Sequence, residues 1–140
     1  MTREHGGAKA KGFTLIELLV TMLIAAILAA VAIPAYQLYI AKQKVSVSES
    51  DLVSLSMNME NYLQNNTQYP TALASLAGWT PASQDFTYAL SNVVQPTATA
   101  MGSYTLTATG ATTLVSGCTV TLTSANIRSL SGCPGGATAW

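Results

Sequence analysis

Hydrophobic and polar positions follow three successive patterns along this chain. From Leu18 to Ala41 there are 24 residues without a formal charge. As an α-helix at about 1.5 Å per residue they would span roughly 36 Å, enough for a hydrocarbon core of about 30 Å. The pattern then turns periodic. Leu38, Val45, Leu52, Leu55, Met59 and Tyr62 recur at spacings of 7, 7, 3, 4 and 3, which describe one face of a helix. Lys42, Glu49, Asp51 and Glu60 fall mostly off that stripe. One helix from about Phe13 to about Gln64 is predicted, apolar all round in its first half and amphipathic in its second. Pro34 lies inside it, removing a backbone donor and crowding the carbonyl of Ala30, so a kink is expected there. "NNTQYPTAL" should end the helix, because Asn65 and Asn66 tolerate left-handed angles and Pro70 pushes Tyr69 out of helical space. "ASLAGWTPASQ" reads as irregular connection.

The third pattern is alternation with period two. "FTYALS" sets Phe86, Tyr88 and Leu90 against Thr87, Ala89 and Ser91. "YTLTATG" sets Tyr104, Leu106 and Ala108 against threonines, and "CTVTLTS" does the same with Cys118, Val120 and Leu122. Each strand has an apolar face and a threonine-rich face, as in an antiparallel sheet with one side buried. "ANIRSLSG" offers a fourth, weaker strand, and residues 95–103 read as a loop. The amphipathic half of the long helix is the natural cover for the apolar faces. The fold class is therefore α+β, a long N-terminal helix packed on a small antiparallel sheet of three to four strands.

Composition sharpens the environment. Charged residues make up 9% of the chain, against about 25% in soluble globular proteins. Net charge is zero, so there is no general pull toward nucleic acid or anionic lipid. Cys118 and Cys133 both lie beyond the apolar segment, and such a pair reads more readily as a disulfide in an oxidising compartment than as a metal site. A disulfide closing that loop stabilises by about 3 kcal/mol in the chain-entropy account. The first twelve residues hold three of the six basic residues and the one histidine. A secretory signal peptide cut after "AAVA" and a plain single-span anchor with Lys9 and Lys11 inside are the simple readings. The apolar run is longer than a signal peptide's core of about 7–15 residues.

Glu17 sits at the leading edge of that run and argues against both. A carboxylate in an apolar region is costly unless it is paired or near the interface, and the next basic side chain along the mature chain is Lys42. A cut between Gly12 and Phe13 would place a new α-amino group four residues before Glu17, one helical turn away, in the same chain or a neighbour. The helix N-terminus favours a negative charge there as well.

"KGFTLIELLV" resembles the class III signal sequence of type IV pilins, a family that includes type II secretion pseudopilins and competence pilins. "YTLTATG", "GCTVTLTS" and the final "GC" are most similar to PilE-type minor pilins, although "PGGATAW" after Cys133 departs from that subgroup. The resemblance implies a cleaved leader over residues 1–12, a transmembrane and filament-core helix over 13–41, and a periplasmic or surface head over 42–140. Within the head it implies an amphipathic helix half 42–64, an αβ loop 65–85, a sheet 86–130 and a disulfide-bounded region 118–133. A prepilin peptidase would cut between Gly12 and Phe13 and methylate the amine of Phe13. Glu17 would meet the N-terminal amine of an adjacent subunit during assembly. Pro34 would mark a stretch able to unwind in the filament, and Cys118 would pair with Cys133. The implied partners are other pilins, the peptidase, the inner-membrane assembly machinery and, before assembly, the membrane itself. The implied location is the inner membrane, single pass with a periplasmic C-terminus, and then the surface pilus.

No catalytic residue, cofactor or metal is expected. Loss of the leader removes His5, pairing removes both thiols, and Glu17, Glu49, Asp51, Glu60 and Asp85 form no local acid–base pair. Trp79 and Trp140 read as packing residues. The expected function is structural: a minor pilin that helps prime or populate a pilus used in twitching motility, adhesion or DNA uptake. One alternative is a type II secretion pseudopilin, whose calcium site wants several carboxylate oxygens where Asp85 is the sole carboxylate after Glu60. The other is a DNA-binding competence pilin. It would need a basic stripe, and Lys42, Lys44 and Arg128 are the basic residues left after cleavage, so direct nucleic-acid binding is not expected.

Overall fold

The structure, a computed structural model, describes residues 12–140, so most of the expected leader, with His5, Lys9 and Lys11, lies outside the described residues. Helix α1 runs Leu15–Asn66 and its assignment continues across Pro34. The chain divides into two compact units, one ending at Ala35 and one covering Tyr36–Trp140.

In the first unit every described residue is exposed. Leu15, Ile16, Leu23, Ile27, Leu28 and Val31 are all more than half exposed, so this stretch has no interior of its own. It is the one helix among the described residues long and apolar enough to cross a membrane.

The second unit is the head. Four strands, β1 (Phe86–Val94), β2 (Ser103–Gly110), β3 (Thr119–Thr123) and β4 (Arg128–Ser131), form an antiparallel meander in the order β1-β2-β3-β4. The registers Leu90↔Leu106↔Leu122 and Tyr88↔Ala108↔Val120↔Leu130 align the apolar residues in rows across the sheet. Those rows and the α1 face of Val45, Leu52, Leu55 and Met59 make one core, with Leu52, Leu55, Met59, Leu106 and Val120 fully buried. The threonines between them lie on the wetter face, as the alternation predicts.

Three details differ from the sequence reading. Leu38 is 45% exposed and belongs to no core, whereas Ala41, Ser48 and Asp51 are buried. The expected stripe followed apolar residues alone and missed the small and polar ones that share the contact face. The helix ends one step later than expected, at Thr67, with φ 61° and its N–H donating to the Leu63 carbonyl at 2.7 Å. Asn65 and Asn66 stay helical, their side-chain amides donating to the carbonyls of Asn61 and Tyr62. Strand β1 also continues to Val94 through an irregularity between Ser91 and Val94, where Asn92 takes φ 51°.

Cys118 and Cys133 are joined in a disulfide, with Cα atoms 4.2 Å apart. Each cysteine follows a glycine of positive φ, Gly117 at 79° and Gly132 at 65°. A Cβ on Gly132 would fall 2.4 Å from the Gly117 carbonyl oxygen. The bare backbone is what lets the two segments come this close.

Candidate functional site

The first candidate site is the start of α1. Gly12, Phe13 and Thr14 precede the helix, and Phe13 is 86% exposed. The Glu17 N–H donates to Thr14 Oγ1 at 3.4 Å, while the Thr14 N–H donates back to Glu17 Oε2 at 3.4 Å. The Thr14 hydroxyl reaches the same carboxylate oxygen at 3.3 Å. This is a reciprocal capping box, which satisfies two of the helix's unpaired N-terminal donors. The sequence reading gave Glu17 no neighbour other than a new α-amine and passed over Thr14. Its signal was present in "TLIE", a threonine followed three residues later by glutamate. The bonds are long and fully exposed, so the Glu17 carboxylate keeps most of its acceptor capacity. The backbone at Gly12 is open as well, since a Cβ there would meet nothing within 4 Å.

In the head, two α1 carboxylates are spent internally. Asp51, read from sequence as lying off the buried face, is 5% exposed. It accepts the N–H groups of Ala82 at 3.0 Å and Ser83 at 2.9 Å and the Tyr88 hydroxyl at 2.6 Å. Glu60 accepts the hydroxyls of Tyr104 at 2.9 Å and Tyr69 at 3.1 Å. Burial raises the phenols of Tyr88 and Tyr104, and the adjacent carboxylates add to it. For the same causes Tyr69 is pushed up to about 12. Gln95 exchanges two hydrogen bonds with the Tyr69 backbone, and the Trp79 indole donates to Ser54 at 2.9 Å. The αβ loop is thus fastened at Tyr69, Trp79, Ala82 and Ser83, although its sequence reads as irregular.

The basic side chains do not form a stripe. Lys44 pairs with Asp85, which also accepts the Thr112 hydroxyl at 2.8 Å. Those bonds hold the Asp85 carboxyl below the usual carboxylate range. Arg128 donates to Asn126 at 3.0 Å and lies over the Trp140 ring, and Lys42 is exposed beside Gly135. Among the described residues no group of three or more Asp, Glu, His or Cys side chains is placed to hold a metal ion.

An exposed apolar helix opening on a glutamate, joined in sequence to a helix-backed sheet with a C-terminal disulfide, has direct counterparts. The prokaryotic N-terminal methylation motif matches residues 7–33. The family described as type IV minor pilin ComP, DNA uptake sequence receptor, matches residues 34–123, more than half of the chain. The chain is a type IV pilin of the ComP family. It is similar to a fimbrial protein of Moraxella nonliquefaciens, 49% identical over 55 residues, 36% of each chain. It is similar to the type IV major fimbrial protein FimA of Dichelobacter nodosus, 43% identical over 70 residues, 50% of this chain and 42% of that one. The type IV major pilin protein PilE1 of Neisseria gonorrhoeae is 44% identical over 64 residues, 41% and 39% of the two chains. The chain thus spans less than half the length of these curated relatives. The ComP match is to a minor pilin, while FimA and PilE1 are named as major pilins. It also brings forward the DNA-uptake alternative that the count of basic residues ranked low.

This pilin's expected site residues fall into three places. Gly12, Phe13 and Glu17 lie together at the start of α1, Pro34 lies within α1, and Cys118 and Cys133 are bonded to each other.

Proposed function

We propose that the chain is a precursor cut between Gly12 and Phe13, methylated on the Phe13 amine, and docked into a pilus through Glu17. The supporting observation is the methylation-motif match over residues 7–33, which brackets an open Gly12–Phe13 junction one turn from a carboxylate held only by long, exposed bonds. Before assembly the apolar half of α1 sits in the inner membrane with the head on the periplasmic side. On assembly it exchanges lipid for the matching helices of other subunits, with Glu17 attracted to a neighbour's α-amine at low dielectric. Pro34 supplies the place where the helix can unwind. N-terminal sequencing and intact mass test the processing: a methylated phenylalanine at position 13 is expected, and a start at Ile33 would return the chain to the secretory-signal reading.

The task of the filament is DNA uptake, a reading supported by the ComP match over the head. Direct contact between this head and DNA is a second reading, favoured by the same match and constrained by charge. With Lys44 committed to Asp85, Lys42 and Arg128 are the basic side chains of the head outside an ion pair. A duplex held through those two gives log K falling against log salt with a slope of about −2, from about 0.9 per neutralised phosphate. A steeper slope would mean that other pilins in the filament carry the contact.

A further inference from the structure

Beyond β4 the sheet gains a partial fifth row. The Leu130 N–H donates to the Thr138 carbonyl at 2.9 Å, and in an antiparallel register that bond sets Trp140 opposite Arg128. The Arg128 guanidinium lies 4.5 Å from the centre of the Trp140 ring, as cross-strand neighbours on one face can. Leu130 is buried in the core, but one step along the strand the core gives way to a cavity. That cavity, about 320 Å³, is bordered by Ser46, Glu49, Ser50, Val53, Arg128 and Trp140. A second, about 220 Å³, adjoins it through Ser46 and Glu49 and reaches Lys42.

The polar groups around the larger cavity do not satisfy one another. Arg128 makes no ion pair with Glu49, and its Nε–H is used on Asn126. Burial pushes the Glu49 carboxyl above its usual range, with the charge of Arg128 pulling the other way. The Trp140 indole N–H is buried without an acceptor, the one such side-chain atom among the described residues. A buried donor left unpaired is costly, and it points to an acceptor that the chain itself does not supply.

We propose that this cavity is a binding site for a single sugar residue, with Trp140 and Arg128 donating to its oxygens and Glu49 accepting from its hydroxyls. Glu49 and Arg128 cancel in charge, so a ligand without net charge fits better than an anion, which would face Glu49. An apolar ligand would leave the indole N–H, the guanidinium and the carboxylate unsatisfied. A sugar hydroxyl donates and accepts at one atom, and it therefore suits a site that mixes both. The size falls in the range of small-molecule sites, about 300–1,000 Å³. This role goes beyond DNA uptake and does not depend on it.

The chain has two tryptophans, so a proton–nitrogen correlation spectrum of the full chain in detergent micelles carries two indole peaks. D-glucose, D-galactose and N-acetyl-D-glucosamine are titrated in turn. At least one should move the Trp140 peak saturably, in the millimolar range typical of weak ligands, and leave the Trp79 peak in place. Glu49→Gln and Arg128→Ala should each weaken that sugar about tenfold, the loss of one hydrogen bond to a charged group. An unmoved Trp79 peak in both variants shows that the head is still folded. Retention of filaments on beads carrying the same sugar assigns the site to surface glycans, and titration without retention assigns it to free sugar. A Trp140 peak that none of the three sugars moves overturns the proposal. So does a shift that survives unchanged in Glu49→Gln. A shift produced only by a short DNA duplex overturns it too and returns Arg128 to the nucleic-acid reading.

Discussion

Glu17 and Asp51 are carboxylates on one helix, yet their surroundings have little in common. Glu17 stands among exposed apolar residues, held only by three local bonds of 3.3–3.4 Å. Asp51 stands in the head's interior and takes three bonds of 2.6–3.0 Å from residues more than thirty positions away. The same contrast holds for the apolar residues, since Leu23 is 62% exposed and Leu55 is 0% exposed. One half of the helix has completed its contacts within the chain, and the other half has left them for another molecule. In this pilin, folding and assembly are written on successive stretches of a single element.

The largest test of that division is a pair of truncations. Leu55→Ala empties a fully buried position and should destabilise the head by about 2–5 kcal/mol in urea unfolding. Leu23→Ala removes as many atoms from a position with no interior and should leave head stability within about 0.5 kcal/mol. Similar losses from both would mean that the first half of α1 contributes to the folded interior, and the contrast would collapse.

Next in size is Asp51→Asn. The amide keeps the shape but turns one acceptor into a donor facing the N–H groups of Ala82 and Ser83 or the Tyr88 hydroxyl. We expect a loss of about 2 kcal/mol and a looser αβ loop, visible as faster amide exchange at Ala82 and Ser83. Unchanged exchange at those two amides would show that the loop is held by Trp79 and Gln95 instead.

A smaller effect appears in alkali. Tyr69, Tyr88 and Tyr104 have folded pKa values raised above the unfolded value of about 10. Between the two values the unfolded state loses protons that the folded state keeps, so stability is full below about pH 10 and falls as pH rises beyond it. Tyr104→Phe should cost about 1 kcal/mol at neutral pH through the lost bond to Glu60 and make the alkaline decline shallower. A decline as steep as in the parent chain would exclude Tyr104 as one of its sources.

Periodicity carried most of this fold. The rows Leu90–Leu106–Leu122 and Tyr88–Ala108–Val120 could be read from alternation, because a strand with one dry face must sort its side chains that way. Polar anchoring was not legible in the same manner. Asp51 was assigned to the wet side by its charge, and nothing in "QDLVS"-like local context tells that its partners come from Ala82, Ser83 and Tyr88. Hydrogen bonds between distant segments leave no periodic trace in sequence. The Thr138–Leu130 bond and the cavity beside Trp140 were hidden for the same reason. At the start of α1, by contrast, both halves of the capping box stand within four residues. Thr14 was readable there, and the attention drawn by Glu17's charge obscured it.

Thr14 also provides the sharpest test of Glu17, where the expected effect on head stability is the smallest. Glu17→Ala removes a carboxylate from the edge of an apolar span, so membrane levels should be unchanged or slightly higher. It removes two things at once, half of a capping box and the attraction to a neighbouring Phe13 amine. Thr14→Ala separates them, because it deletes the threonine hydroxyl of the cap while keeping the carboxylate. Loss of an N-cap costs about 0.5–2 kcal/mol of local helix stability. The reading is the ratio of subunit in sheared pili to subunit in membranes. If Glu17 acts between subunits, Glu17→Ala lowers that ratio several-fold and Thr14→Ala leaves it near the parent value. Equal falls in both variants would make Glu17 a cap residue, and its intersubunit role would be lost. A full ratio in Glu17→Ala would instead describe a subunit that never docks below another chain, which places it at the end of the filament.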